Sequence, residues 1–178
     1  MAGAFFCPVA INGLFSNNRL GPENTGQMDD RVSHMLLKAT QVHSDPRQEL
    51  EISAISVPHG PVPTLAYRVR IGTKSIVFSG DQNGSSEAFI DFARGTDVLV
   101  MHMPVPEGIS GVARKLHAPP SVIGDIATAT GTGKLVLSHF MARSLENIKQ
   151  NLEEVRSRYN GPVVSSNDLE CVVFQIIM

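Results

Sequence analysis

The sequence has few of the features that mark membrane or secreted proteins. Its 178 residues contain no tryptophan and only two cysteines. No apolar run approaches the roughly 20 residues that a membrane-spanning helix needs, so we expect no membrane association. The N-terminus lacks the basic start and continuous apolar core of a signal peptide, and we therefore expect a cytoplasmic protein.

The two cysteines are too few for a disulfide framework or a four-thiolate metal site. Free cysteine behaves as a small apolar residue, so we expect Cys7 and Cys171 to be ordinary buried or reduced thiols. Neither cysteine stands in a motif with a histidine partner, and a cysteine nucleophile is not predicted.

Charged residues of both signs are also few. Fifteen Lys and Arg stand against seventeen Asp and Glu, which gives a formal net charge of −2. Nucleic acid is therefore not indicated as a partner, although a local basic patch stays open. With 42% hydrophobic and 18% charged residues, the chain can fold around a core, and its length indicates one domain over residues 1–178.

Regular patterning begins near residue 50. Residues 1–49 are poorly patterned, with one helix predicted over 28–39. Beyond them, alternating apolar residues predict a strand over 65–71, joined by a tight turn to a strand over 75–79. Further strands are predicted over 52–57, 97–101, 134–138 and 171–177, and helices from Ser85 or Ser86, from Pro119 and from Ser144. This order is typical of the α/β class.

Four side chains with useful chemistry stand just after predicted strands. They are His59, Asp81, His102 and His139. Polar groups at the carboxyl ends of strands converge on one edge of an α/β sheet, where ligands bind. Imidazole and carboxylate suit zinc, iron or manganese. We therefore expect His59, Asp81 and His139 to lie together, and the alternative for each is a hydrogen-bonded loop residue.

Other motifs are incomplete or uninformative. No Gly-x-Ser-x-Gly is present, so a serine hydrolase would lack its nucleophile. Residues 130–134 lack the first glycine of a phosphate loop and lead into a strand, which indicates a helix stop and turn. We interpret His34 and His43 as surface residues. His117 precedes a predicted helix, where a structural cap is as good an interpretation as a functional role.

Five motifs follow one another in register over residues 50–141. They are Ser-Val-Pro-His-Gly at 56–60, Ile-Val-Phe-Ser-Gly-Asp at 76–81, Asp-Val-Leu-Val-Met-His at 97–102, Leu-His-Ala-Pro-Pro-Ser at 116–121 and Leu-Val-Leu-Ser-His-Phe at 135–140. Their order, spacing and strand context resemble the C-terminal portion of metallo-β-lactamase-fold hydrolases, especially the branch with ribonuclease Z and arylsulfatase-like enzymes. The resemblance implies a partial αββα sandwich, mainly its C-terminal half of sheet plus helices, over residues 50–178.

The resemblance also implies a two-metal site. His59 would bind the first ion, Asp81 would bridge both ions, and His139 would bind the second. Zinc is the metal that the resemblance implies, with iron or manganese as alternatives. Three residues shared between two ions are too few, because zinc needs about four ligands.

Two further histidines are candidate catalytic residues by the same resemblance. His102 stands where ribonuclease Z enzymes carry a His-Glu pair involved in catalysis, and His117 matches a recurrent histidine before the next helix. Met103 replaces the glutamate of that pair, which puts proton transfer by His102 in doubt. Gln82 follows Asp81 where threonine is usual.

The principal metal motif of the family, His-x-His-x-Asp-His, is absent from the sequence. In relatives it lies upstream of a Gly-Pro turn that Gly21-Pro22 resembles, so we expect a truncated form that is weakly active or inactive alone. The first hypothesis is a metal-dependent hydrolase, using metal-bound hydroxide on an ester, phosphodiester or amide. The alternative is a non-catalytic oligomeric or binding protein that retains the half-fold. The sequence does not identify a substrate.

Loss of the N-terminal sheet would also affect association. Strands such as 65–71 and 135–137 would then keep an apolar face that nothing in their own chain covers. Each Val, Leu or Ile left in water forfeits about 1.5–3 kcal/mol of burial. We therefore expect a homo-oligomer, formed by a twofold contact or by exchange of the N-terminal 49 residues.

Overall fold

A computed structural model describes residues 5–6 and 38–173, in which a seven-stranded sheet packs against helices and a second sheet has two strands. The strands are β1 (Phe5–Phe6), β2 (Thr40–Asp45), β3 (Leu50–Val57), β4 (Thr64–Ile71), β5 (Lys74–Phe78), β6 (Val98–His102), β7 (Lys134–Ser138), β8 (Val163–Ser165) and β9 (Val172–Val173). The helices are α1 (Glu87–Ala93), α2 (Gly111–Leu116), α3 (Pro120–Thr130), α4 (Ala142–Leu145) and α5 (Ile148–Arg158). The predicted α/β class is confirmed.

The large sheet is antiparallel at one end and parallel at the other. Its strand order is β2-β3-β4-β5-β6-β7-β8, with antiparallel pairs up to β5 and parallel pairs from β5 onward. A tight turn joins β4 to β5, and Gly72 adopts the φ of 55° that the turn requires. Parallel strands need long crossovers, and helices supply them between β5, β6, β7 and β8. The hairpin predicted across residues 72–73 is confirmed.

The main hydrophobic core lies between the sheet and the helices. Strands β6 and β7 send Leu99, Met101, Leu135 and Leu137 to this side, and all four are almost completely buried. The helices contribute Phe89, Ile123 and Val155 to the same cluster, and Tyr159, directly after α5, joins them. The core therefore fixes the parallel strands on which the predicted site residues depend.

The opposite face of the sheet is apolar as well. Ile76, Val98, Val100 and Val136 form a second buried cluster there, and Val172 of β9 packs against them. We expected 135–137 to keep an uncovered apolar face, and this was wrong, because Leu135 and Leu137 face the helices while Val136 is 4% exposed in the second cluster. The homo-oligomer itself stays a prediction.

Two of the predicted helix starts have different outcomes. Ser86 caps α1 as predicted, since its hydroxyl accepts a hydrogen bond from the backbone N–H of Phe89 at 3.1 Å. Ser144 is not a cap: it lies buried inside the short helix α4, and α5 begins after Asn147. The side chain of Asn151 donates to the carbonyl of Ser144 at 3.0 Å, which joins the two helical segments.

The last described strand pairs with the first. β9 pairs antiparallel with β1, with Phe6 opposite Val172. Cys171 is disulfide-bonded, so the expectation of a reduced thiol was wrong for it. Cys7, for which the same was expected, lies outside the described residues. The rest of the strand predicted over 171–177 lies outside the described residues.

Some predictions concern the N-terminal segment. The helix predicted over 28–39 lies outside the described residues except for residues 38 and 39, which are not helical, and Gly21-Pro22 lies outside as well. β2 was not predicted at all, and it forms the edge of the sheet beside β3. Within the described part of the chain, no helix has the length and apolar character needed to cross a bilayer.

The contact between α3 and α5 gives a test of the fold. A Cβ added at Gly124 would stand 2.8 Å from the Val155 carbonyl oxygen and 2.7 Å from the Arg158 Cβ. Alanine is favoured over glycine inside a helix by about 1 kcal/mol, yet crowding in a packed contact costs about 1–3 kcal/mol. We expect Gly124→Ala to lower the free energy of unfolding in urea. Ala129→Ser, on the exposed side of α3, is the control and should change it by under about 0.5 kcal/mol. A stabilised Gly124→Ala would contradict the close approach of the helices.

Candidate functional site

Asp81 stands at the carboxyl edge of the sheet, three residues after β5. The chain turns sharply before it at Gly80, which has a φ of 60°. A Cβ at Gly80 would lie 2.6 Å from the carbonyl oxygen of Leu65, so the turn needs glycine for two reasons. This turn places the Asp81 carboxylate beside the end of the neighbouring strand β6.

His102 is the last residue of β6 and is hydrogen-bonded to Asp81. Its Nδ1 lies 2.9 Å from Asp81 Oδ1. Because β5 and β6 are parallel neighbours, their carboxyl ends lie side by side. An ionised carboxylate only accepts hydrogen bonds, so Nδ1 carries the proton and Nε2 is free to accept.

His139 follows β7, the next parallel strand, and approaches the other oxygen of Asp81. Its Nε2 lies 3.7 Å from Asp81 Oδ2, and its ring centroid lies 4.8 Å from that of His102. Its φ of 55° is in the left-handed region, which is unfavourable for a residue with a Cβ. Backbone strain of this kind persists at functional sites, where the surrounding structure holds it in place.

His117 and His59 complete the group from two loops. His117 Nδ1 lies 3.6 Å from Asp81 Oδ1, and the ring is buried. His59 packs against it with ring centroids 4.9 Å apart. Its own Nδ1 lies 2.9 Å from the carbonyl oxygen of Leu116. The structure therefore brings together all five residues that the sequence singled out.

The loop that carries His117 is bonded to the loop that carries Asp81. The backbone N–H of Ala118 donates to the carbonyl of Gln82 at 2.8 Å, and the side chain of Asn83 donates to the Lys115 carbonyl at 3.1 Å. Arg114 donates in turn to the Asn83 carbonyl at 3.0 Å. Sequence reasoning missed these positioning residues, because the bonds use backbone atoms and no pattern of residue types marks them.

The charges around Asp81 favour its ionised form. Burial alone would raise the pKa of its carboxyl, but the hydrogen bond from His102 and the positive charge of the neighbouring imidazoles outweigh it, so the pKa lies below its ordinary value. At His117, burial is the largest influence and lowers the pKa, against the opposing charge of Asp81. At neutral pH the site therefore holds a carboxylate and a neutral buried imidazole, which are the forms that bind metal ions.

Three of these residues fit a metal ion most closely. Asp81, His102 and His139 each offer a ligand atom, and the three atoms lie within 4.8 Å of one another. Two imidazoles and one carboxylate are a donor set typical of zinc and of non-haem iron. His102, predicted as a catalytic residue, thus lies in the same cluster as the predicted metal positions Asp81 and His139.

The other residues that the sequence analysis discussed lie outside the cluster around Asp81 or outside the described residues, or are buried beside it. Met103 is completely buried in the main hydrophobic core. His43 is exposed on β2, as predicted, and His34 lies outside the described residues. Gln82 is buried, and its side chain donates to the carbonyl of Ser79 at 3.2 Å.

Comparison with known proteins identifies the fold. No family model matches the chain. Ribonuclease Z of Pseudomonas putida (strain GB-1) is 25% identical over 174 residues, covering 82% of this chain and 54% of the relative. The metallo-β-lactamase-fold protein YhfI of Bacillus subtilis aligns with a TM-score of 0.65 at 20% identity, over 75% of this chain and 52% of YhfI. The chain has the metallo-β-lactamase fold. It spans about half the length of these two proteins.

Other solved structures with this metallo-β-lactamase fold include human tRNase Z, short form, which aligns with a TM-score of 0.61 at 16% identity over 78% of this chain and 47% of its own. Two are described by the metals they hold. They are Zn²⁺-bound PqqB from Methylobacterium extorquens, with a TM-score of 0.56, and the diiron β-hydroxylase CmlA of Streptomyces venezuelae, with a TM-score of 0.54. These neighbours agree with the predicted superfamily and with its C-terminal portion.

The backbone of His139 gives a test of this site that needs no metal. Glycine tolerates a positive φ, so His139→Gly should be more stable to urea than His139→Ala by about 1 kcal/mol. The matched control is the same pair of changes at His102, which lies in a strand. There the alanine variant should be the more stable one by roughly 0.5–1 kcal/mol. Equal ranking at both positions would contradict the left-handed conformation of His139.

Proposed function

We propose that the chain acts as a metal-dependent hydrolase in which Asp81, His102 and His139 hold a divalent transition-metal ion. One observation carries the proposal. The three ligand atoms lie within 4.8 Å of one another, at the carboxyl ends of adjacent strands. Zinc, iron and manganese are the candidate ions. The zinc-bound and diiron proteins that share the fold support the binding of a metal by this chain.

The metal would supply the attacking group. A divalent ion held by these residues would lower the pKa of bound water to about 7, which is the chemistry that the ion would supply. Esters, phosphodiesters and amides are the substrate classes for such chemistry. We favour a phosphodiester, because the curated relatives are named ribonuclease Z, and RNA is therefore a candidate substrate despite the net charge of −2.

The residues of the chain hold and orient the site. In the metal-free site Asp81 is ionised, because its pKa is depressed, and it holds the ring of His102 by accepting the Nδ1 proton; an ion bound to both residues would take the place of that proton. We assign His102 as a ligand, in place of the proton-transfer role that the family resemblance implies. The proton-transfer role would need a carboxylate partner, and Met103, which stands at that place, is buried in the core.

A non-catalytic binding protein is the second candidate. It is favoured by one observation, the absence of His-x-His-x-Asp-His from the 178 residues. A protein of that kind has no need of a metal. Metal analysis therefore separates the two candidates before any substrate is known.

Metal binding is the first test of the hydrolase proposal. The metal-free chain should bind zinc, and free zinc at 100 times its Kd should raise the free energy of unfolding by about 2.7 kcal/mol. Asp81→Asn keeps the size of the side chain but removes its charge, and it should abolish most of this gain. Asp91→Asn, on the exposed surface of α1, is the control. Thermal unfolding with and without zinc measures both. A wild-type chain that zinc does not stabilise would refute the proposal.

Turnover is the second test, with bis(p-nitrophenyl) phosphate as the probe substrate. We expect slow, chelator-sensitive hydrolysis by these 178 residues, because the site has few ligands and Met103 cannot transfer a proton. Asp81→Ala should remove that activity. His102→Ala should lose bound zinc together with activity if His102 is a ligand, and should keep the zinc if it transfers protons. Turnover that survives both chelator and Asp81→Ala would contradict a metal-dependent reaction at this site.

A further inference from the structure

One polar side chain interrupts the apolar face of α5. The face that packs on the main hydrophobic core carries Ile148, Leu152 and Val155 at helical spacing, and Asn151 lies among them with 1% of its surface exposed. An apolar residue is the usual choice at such a position, because a buried amide is costly unless it is fully hydrogen-bonded. A break of this kind in the pattern indicates a role other than packing.

The amide of Asn151 is bonded at both ends, and each bond reaches a different segment. Its Oδ1 accepts from the backbone N–H of Glu107 at 3.1 Å, and its Nδ2 donates to the carbonyl of Ser144 at 3.0 Å. Glu107 lies five residues after His102, and Ser144 lies five residues after His139. One buried side chain therefore joins the segment that follows β6 to the segment that follows β7.

We propose that Asn151 is a positioning residue for His139. Its two bonds hold α4 against the segment after β6, and this keeps the backbone of His139 in its left-handed conformation, with the ring beside Asp81. The part of the proposal that concerns metal binding rests on the proposed function, in which His139 is a ligand. The part that concerns the backbone does not.

The Glu107 end of this connection is itself fixed. The carboxylate of Glu107 accepts from the backbone N–H of Ser121 at 2.9 Å and from its hydroxyl at 3.0 Å, in the first turn of α3. The segment after β6 is bonded to α4 a second time, because Nε of Arg143 donates to the carbonyl of Pro104 at 3.2 Å. Asn151 therefore attaches α4 to a segment that is already tied to the rest of the fold.

The short helix α4 needs such an attachment. It has four residues, Ala142–Leu145, and a helix of this length is not stable in water without contacts from outside. Its cap residue, Met141, makes no side-chain cap bond. Ser144 is the buried residue of α4, and its carbonyl is the atom to which Asn151 donates. The position of α4 therefore depends on Asn151.

The conformation of His139 has to be held from both sides. A residue with a Cβ is unfavourable at a φ of 55°, so it relaxes unless the chain before and after it is fixed. The pairing of Ser138 with His102 in the sheet fixes the chain before it. α4 fixes the chain after it, through Asn151. Release of α4 would let His139 take an ordinary φ and would move its Nε2 from its place 3.7 Å from Asp81 Oδ2.

The first test compares glycine with alanine at position 139 in metal-free protein. With Asn151 in place, His139→Gly should unfold at a higher urea concentration than His139→Ala, because glycine accepts a positive φ. In an Asn151→Ala background this advantage should disappear or reverse, because residue 139 is no longer held. Gln150→Ala, an exposed neighbour on α5, is the control background and should keep the advantage. A general loss of stability would lower both variants and leave their order unchanged.

A second background covers the case in which Asn151→Ala does not fold. Asn151→Leu removes both hydrogen bonds but keeps a side chain of similar size, so it leaves no cavity on the apolar face of α5. The order of His139→Gly and His139→Ala should change in this background in the same way.

The second test is metal binding by the folded Asn151→Leu chain. Its Kd for zinc should rise about tenfold or more, because partners that orient a ligand commonly account for 10–100-fold in metal affinity. Cobalt(II) in place of zinc reports the ligand geometry through its visible absorption. This spectrum should change in Asn151→Leu and stay as in the wild type in Gln150→Ala. An unchanged Kd together with an unchanged spectrum would overturn the role of Asn151 in metal binding.

The outcomes separate this inference from the proposed function. If the wild type binds no zinc while the order of the two position-139 variants depends on Asn151, the hydrolase proposal fails and the positioning of the backbone stands. If zinc binds and the order is the same with and without Asn151, the positioning role is overturned. It is also overturned if glycine has no advantage at position 139 in the wild-type background.

Discussion

The hydrogen bond between His102 and Asp81 joins the ends of two parallel strands, and the other histidines are arranged around the carboxylate that accepts it. Three imidazoles approach its two oxygens, from strand ends and from the loop before α3. An apolar residue at position 81 would leave these rings with no common acceptor. The depressed pKa of Asp81 records how strongly its surroundings favour the negative charge.

The position of this carboxylate depends on strand pairing, core packing and two backbone turns. Parallel pairing of β5, β6 and β7 brings their carboxyl ends to one edge, and the helices on one face keep those strands buried. The two positive φ angles, at Gly80 and His139, then turn the chain so that side chains leave the sheet toward the same point. Glycine accepts this conformation freely, whereas His139 is held in it by its surroundings.

Much of this arrangement could be predicted, because apolar runs followed by polar residues mark strands and their ends. The strands around Asp81, His102 and His139 follow from that pattern alone. Other features depend on contacts that no local pattern encodes. β2 is an exposed edge strand held by its pairing with β3, α2 is short and has no buried residues, and a hydrogen bond from Asn151 to Ser144 joins α5 to α4.

The bonds between residues 81–83 and 114–118 have a consequence for how the protein can vary. Surface loops usually accept insertions and deletions, because their backbone bonds to water. Here the two loops are hydrogen-bonded to each other, through Ala118, Asn83 and Arg114. A residue added to one loop shifts the register of the other and moves His117 relative to Asp81. The two loops therefore have to change length together, and grafting one of them into another scaffold requires transplanting both.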